Sequence, residues 1–117
     1  MAKLSTHILD TVHGRPAPQV KIELFSLDGV SQTLIATVRT NADGRTDRPL
    51  LEGAAVRRGR YRLVFHVGEY FRQAGLTMPD PAFIDIVPVD FGIAEDGGNY
   101  HVPLVCSPWT YSTYRGS

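Results

Sequence analysis

Residues 19–40 read QVKIELFSLDGVSQTLIATVRT, and the first half of this stretch alternates. Val20, Ile22 and Leu24 fall on one face of an extended chain, with Lys21 and Glu23 on the other. A period of two marks a strand with one buried and one solvated face. Asp28-Gly29 suits a tight hairpin turn, because glycine reaches positive φ without steric cost. The run QTLIATVRT then returns, so the stretch predicts an antiparallel hairpin and, with it, an all-β fold.

Further along the chain the same grammar repeats. NADGRTDRP (41–49) is a polar loop in which Asp43 and Gly44 offer a turn, with Arg45 directly after it. RYRLVFHV (60–67) alternates Tyr61, Leu63, Phe65 and Val67 inward against Arg60, Arg62 and His66 outward, with Val64 as the exception. GEYFRQAGL (68–76) changes period: Tyr70, Phe71 and Ala74 fall at helical spacing and Gly75 supplies a C-terminal stop, which predicts one short helix. AFIDIVPVDFGI (82–93) reads as a strand whose Pro88 belongs at an edge or bulge, since proline cannot donate to a ladder. NYHVPLVCS and TYSTYR, joined at Pro108, complete a set whose spacing predicts an antiparallel sandwich or barrel.

The chain has 117 residues, which predicts a single domain over 1–117. Twelve basic residues balance twelve acidic ones, so the global basic field that nucleic-acid or membrane-surface binding draws on is missing, and neither partner is expected. The opening MAKLSTHILD has no apolar core or small-residue cleavage site of a secretory leader, and a cytoplasmic protein is expected. The lone Cys106 agrees with a reducing compartment and reads as a buried strand residue.

Four histidines are the first place to look for chemistry. His13 lies in the turn VHGRP and His66 on the polar face of its strand; both read as structural. Alternation in LSTHILD sets His7 with Ser5 and Leu9, opposite Leu4, Thr6 and Ile8. In YHVPLV it sets His101 with Pro103 and Val105, opposite Tyr100 and Val102. Both imidazoles are therefore expected to project from strands, as a preorganised site requires. Zinc-ligand spacing, a Gly-x-Ser-x-Gly elbow and a Gly-rich phosphate loop are all missing from the sequence, so no metal and no cofactor are expected. Two imidazoles and loop arginines can still activate water and bind a polar planar molecule.

Three separated motifs then carry a resemblance. YRGS (114–117), preceded by HVPLVCSPWTYST, together with LSTHILDTVHGRPAPQVKIEL (4–24) and TNADGRTD (40–47), resembles the 5-hydroxyisourate hydrolases, transthyretin-like enzymes of purine catabolism. The resemblance covers nearly the whole chain. It implies a sandwich of two four-stranded antiparallel sheets with one short helix, and a homotetramer built as a dimer of dimers with its sites between the dimers. By motif, His7, Arg45 and His101 would be catalytic, and His7, Arg45, Tyr114, Arg115 and Ser117 would bind 5-hydroxyisourate, with Gly116 part of the same terminal segment. Of these, His7, Arg45 and Tyr114 are expected to touch the substrate directly, and Ser117 to bring a free α-carboxylate. Either histidine could take the proton from water.

Two other readings compete. A carrier like transthyretin shares this fold, but carrier members replace the histidines that are present here. A purely structural sandwich would leave His7 and His101 as satisfied core residues, and three motifs in one order argue against it.

Overall fold

The computed structural model of the chain describes residues 2–117, and Met1, the first residue of the opening examined for a leader, lies outside them. The expected hairpin is present. Strands β4 (Lys21–Asp28) and β5 (Ser31–Arg39) pair antiparallel from Lys21↔Arg39 to Asp28↔Ser31, and Gly29 makes the turn at φ +61°. Ile35 is an extra residue in the ladder: Leu24 faces Ala36 while Phe25 faces Leu34. Such a bulge bends its strand and re-aims the side chains around it.

Strand β7 (Gly59–His66) pairs with β4 and with β8 (Ile86–Ile93), giving a four-stranded antiparallel sheet ordered β5-β4-β7-β8. Pro88 sits in the edge strand β8, where its missing amide costs no ladder bond. That strand begins only at Ile86; residues 82–85, expected to be extended with it, form a loop. Tyr61, Leu63 and Phe65 point into the core as their alternation predicts, and Val67 is buried as the first residue of helix α1 (Val67–Gln73). Tyr70 and Phe71 bury the helix's inner side, and Gly75 at φ +96° ends it.

The facing layer is built from shorter pieces: β1 (Lys3–Ser5), β2 (Ile8–Asp10), β3 (Arg15–Pro16), β6 (Leu51–Glu52), β9 (Asn99–His101), β10 (Leu104–Cys106) and β11 (Tyr111–Thr113). They form two ladders, β6-β1-β9 and β11-β10-β2-β3, which follow one another along the same two chain segments. Both segments break at the same level, at Thr6–His7 and at Val102–Pro103. Proline explains the break. Pro103 has no amide to donate, and the Thr6 hydroxyl, at 2.7 Å, takes the Val102 carbonyl in place of a backbone donor. The amide of Val102 still donates to the Ser5 carbonyl and that of Leu104 to the His7 carbonyl, both at 2.9 Å, so the two segments stay in register across the gap.

This corrects one expectation: His7 lies in the gap between two strands and not within one. The alternation nevertheless survives the break, with Leu4, Thr6, Ile8 and Asp10 buried and Ser5, His7 and Leu9 half-buried. Pro103 departs from its predicted face and is buried with Val102 and Leu104. Between the layers, Leu4, Ile8 and Leu104 meet Ile22, Leu24, Leu63 and Phe65, all with no exposed surface. Burying a side chain of this size stabilises the fold by about 1.5–3 kcal/mol. Among the described residues no helix is long and apolar enough to cross a membrane.

Candidate active site

The register of the broken layer puts two imidazoles on one face. Ser5 pairs with His101 across the parallel β1–β9 ladder, and His7 follows Ser5 by two residues on the same side. The Ser5 hydroxyl lies 2.8 Å from His101 Nδ1. Burial holds the His101 imidazole below its usual pKa, the Arg45 charge and then His7 press in the same direction, and a hydrogen bond to the Ser5 backbone opposes them. An imidazole so placed stays neutral further toward acid and keeps a lone pair available.

Arg45 reaches this face through its loop, which Asn41 organises. The Asn41 side-chain oxygen accepts the amides of Asp43 (2.9 Å) and Arg45 (3.2 Å), its nitrogen donates to Asp47 at 3.0 Å, and its own amide donates to the Arg45 carbonyl at 2.7 Å. The loop is then pinned to β2 by the Ile8 amide, which donates to the Gly44 carbonyl at 2.9 Å. Ile8 directly follows His7. Gly44 is required twice over: its φ is +71°, and a Cβ there would lie 2.5 Å from the Ile8 carbonyl oxygen. The Arg45 side chain is left exposed, beside the histidines.

The terminal segment meets the same histidine from the other side. The Gly116 amide donates to the His101 carbonyl at 2.8 Å, and a Cβ on Gly116 would lie 2.5 Å from His101 Cδ2. Only a glycine lets the backbone lie this close to the ring. Arg115 turns elsewhere. Its guanidinium stacks 4.3 Å over the Tyr100 ring and donates to the Asn99 carbonyl at 3.2 Å, which anchors the segment. Tyr114 and Arg115 line a cavity of about 230 Å³ against Val89–Gly92, Tyr100, Val102 and Thr113. Within one chain, then, His7, Arg45, His101 and Gly116 come together, while the side chains of Tyr114 and Arg115 border a neighbouring recess and Ser117 lies exposed at the end of the segment.

The other two histidines are tied to carboxylates. His13 Nδ1 lies 2.6 Å from Asp10, which also accepts the amides of Val12 and His13 and the Tyr70 hydroxyl. His66 Nε2 lies 2.7 Å from Glu23 on the adjacent strand. Cys106 is buried, and burial pushes its thiol up to about 12, so it is no nucleophile. The sequence reading missed Ser5, Asn41 and the packing of Gly116. Ser5 was on view, since alternation had set it beside His7.

A two-layer β-sandwich with one short helix and a cluster of imidazole, guanidinium and terminal peptide on the face of its broken layer defines a transthyretin-type fold carrying a polar candidate site. The chain belongs to the HIUase/Transthyretin family, whose model matches residues 4–116. It is 58% identical over 115 residues to 5-hydroxyisourate hydrolase 2 of Rhizobium meliloti (strain 1021), covering 98% of this chain and 96% of that protein. The solved structure of Klebsiella pneumoniae 5-hydroxyisourate hydrolase superposes with a TM-score of 0.81 at 37% identity, covering 100% of both chains. Transthyretin from Sparus aurata superposes with a TM-score of 0.86 at 30% identity, covering 99% of this chain and 97% of that one. A shared fold thus spans hydrolase and transthyretin, and the side chains of the site must separate them.

Proposed function

We propose that this chain hydrolyses 5-hydroxyisourate to 2-oxo-4-hydroxy-4-carboxy-5-ureidoimidazoline, a ring-opening step of urate degradation, within one domain over 1–117. The observation that carries the reading is the convergence of His7, Arg45 and His101 at the gap in the broken layer. The full-length identity to named hydrolases supports it. The alternative, a carrier, is disfavoured by the same cluster, because a half-buried imidazole kept neutral beside an arginine equips a pocket for proton transfer.

Opening the ring adds water across a cyclic amide. The C–N bond breaks, a C–O bond forms, and the ring nitrogen leaves with a proton. His101, held neutral, takes a proton from water as the oxygen attacks the carbonyl carbon, and the imidazolium returns it to the departing nitrogen. Arg45 supplies a fixed cation to the oxyanion that develops at the carbonyl, and its planar fork matches a urea-like edge. His7 orients the substrate on the same face. Tyr114 and Ser117, which in one chain border a neighbouring recess and lie at the exposed end of the segment, contact it in the assembled tetramer, and Arg115 anchors the segment on Tyr100.

The substrate-complete form is a homotetramer, a dimer of dimers with sites between the dimers. Trp109, Tyr111 and Tyr114 on and beside the edge strand β11 are 62%, 41% and 58% exposed in one chain, a set of aromatic surfaces that assembly would cover. A cytoplasmic setting, with no membrane or nucleic-acid partner, fits the balanced charge.

The decisive test is spectrophotometric decay of freshly generated 5-hydroxyisourate with and without the protein, repeated after treatment with a chelator. Accelerated decay that survives the chelator is expected; unaccelerated decay overturns the reading. Sedimentation should give the tetramer, and an active monomer would overturn the proposed assembly.

A further inference from the structure

Resting on the hydrolase reading, and going past the residues that the family motifs mark, the geometry points to Ser5 as the positioning residue that fixes His101 with its proton on Nδ1 and its lone pair on Nε2. Four observations bear on this. Ser5 is the direct cross-strand partner of His101 in the parallel ladder, so their side chains leave the sheet together. The pairing is held by the Val102 amide, which donates to the Ser5 carbonyl at 2.9 Å. The Ser5 hydroxyl stands 2.8 Å from Nδ1, which leaves Nε2 as the nitrogen turned away from the strand. Gly116 packs on Cδ2, the carbon bonded to Nε2, so the terminal segment borders the side of the ring that carries the free nitrogen.

A hydroxyl can donate to an imidazole or accept from it, and its identity alone does not choose the tautomer. The role proposed for the ring chooses. Nδ1 is occupied by the Ser5 hydroxyl and Nε2 is the free nitrogen, so a base acting through Nε2 carries its proton on Nδ1, where the Ser5 oxygen accepts it. In this arrangement the hydroxyl can accept from Nδ1–H whether Nε2 is bare or protonated. The ring keeps its orientation through a catalytic cycle in which Nε2 gains and loses a proton. A neutral acceptor also differs from a carboxylate, because it steers the tautomer without adding a charge that would oppose Arg45.

The test reads the tautomer directly. In wild-type protein at a pH where His101 is neutral, nitrogen-15 NMR should show Nδ1 protonated and Nε2 bare. Ser5→Ala should shift the ring toward the other tautomer and lower kcat about ten- to a hundredfold, with KM moving much less. Ser5→Thr keeps the hydroxyl and should recover most of the rate and the wild-type nitrogen shifts. A wild-type ring protonated on Nε2 overturns the inference, as does a Ser5→Ala protein with unchanged tautomer and rate. Should Ser5→Ala fail to fold, the wild-type spectrum still decides. Failure of the hydrolase reading looks different, because the wild-type protein would then leave 5-hydroxyisourate decay unaccelerated whatever the tautomer.

Discussion

The two pairs of histidines in this chain meet opposite surroundings. His13 and His66 each face a carboxylate, Asp10 and Glu23, across 2.6 and 2.7 Å. His101 faces a neutral hydroxyl and lies near the charge of Arg45, with His7 beside it. An imidazole clamped to an anion works as a crosslink: His13 helps to close the turn after β2, and His66 ties β7 to β4. An imidazole given a neutral partner and a neighbouring cation keeps its lone pair and can pass a proton. Residue type is identical in His13, His66 and His101, and the partner is what sets His101 apart.

The sharpest way to break this contrast is to remove the rings one at a time. His101→Asn and His7→Asn should each lower turnover of 5-hydroxyisourate by about a hundredfold or more while circular dichroism and the melting temperature stay near wild type. Equal rates for these two and for His13→Asn would erase the distinction.

Gly116→Ala tests whether the site depends on the backbone that lies against His101. The added Cβ would sit 2.5 Å from Cδ2, so either the ring or the terminal segment must shift. A displacement of about 1 Å in such a site can cost about a hundredfold in rate, and a loss of ten- to a hundredfold is expected with little change in thermal stability. An unchanged rate would mean that the contact is slack.

Arg45→Gln sharpens the electrostatic half of the comparison. Burial and, after it, the Arg45 charge hold His101 below its ordinary pKa, so removing the charge should let His101 titrate at higher pH. On the proposed mechanism, in which the neutral ring is the base, the acid-side fall in kcat/KM should move to higher pH as well. An NMR titration of the His101 ring and a pH–rate profile measure the two separately, and a titration that stays put or moves down would contradict the proximity of Arg45.

The smallest effect belongs to His66→Asn. Its pair with Glu23 is partly exposed, where such pairs contribute about 0–1 kcal/mol. Turnover should match wild type, and chemical denaturation should show a loss within that range.

Much of this could be read from the residues in order. Period-two alternation located β4 and β7, the Asp28-Gly29 turn implied β5 as the returning strand, the change to helical spacing located α1, and Gly75 marked its end. His7 and His101 stood out because their faces could be counted from neighbours two residues away. Other features escaped for definite reasons. The break at Thr6–His7 arises from Pro103, some 96 residues distant by the contact of Thr6 with Val102, and alternation carries no information about a partner strand. Asn41 reads in the sequence as one more polar loop residue, whereas four of its atoms organise the Arg45 turn. Arg115 was grouped with the site by motif, yet its guanidinium lies on Tyr100, a contact set by tertiary placement alone.

The bond from the Ile8 amide to the Gly44 carbonyl has a consequence for how the site fluctuates. Ile8 is buried, yet its amide proton is shielded by a partner in a surface loop and not by a neighbouring strand. Its exchange with solvent deuterium is therefore expected to follow the opening of the Arg45 loop, since local openings generally need less free energy than global unfolding. Amides deep in β4 and β7 exchange only when the sheet itself comes apart. One amide thus serves as a built-in gauge of how often the arginine leaves the histidines, readable in the resting protein before any substrate is added.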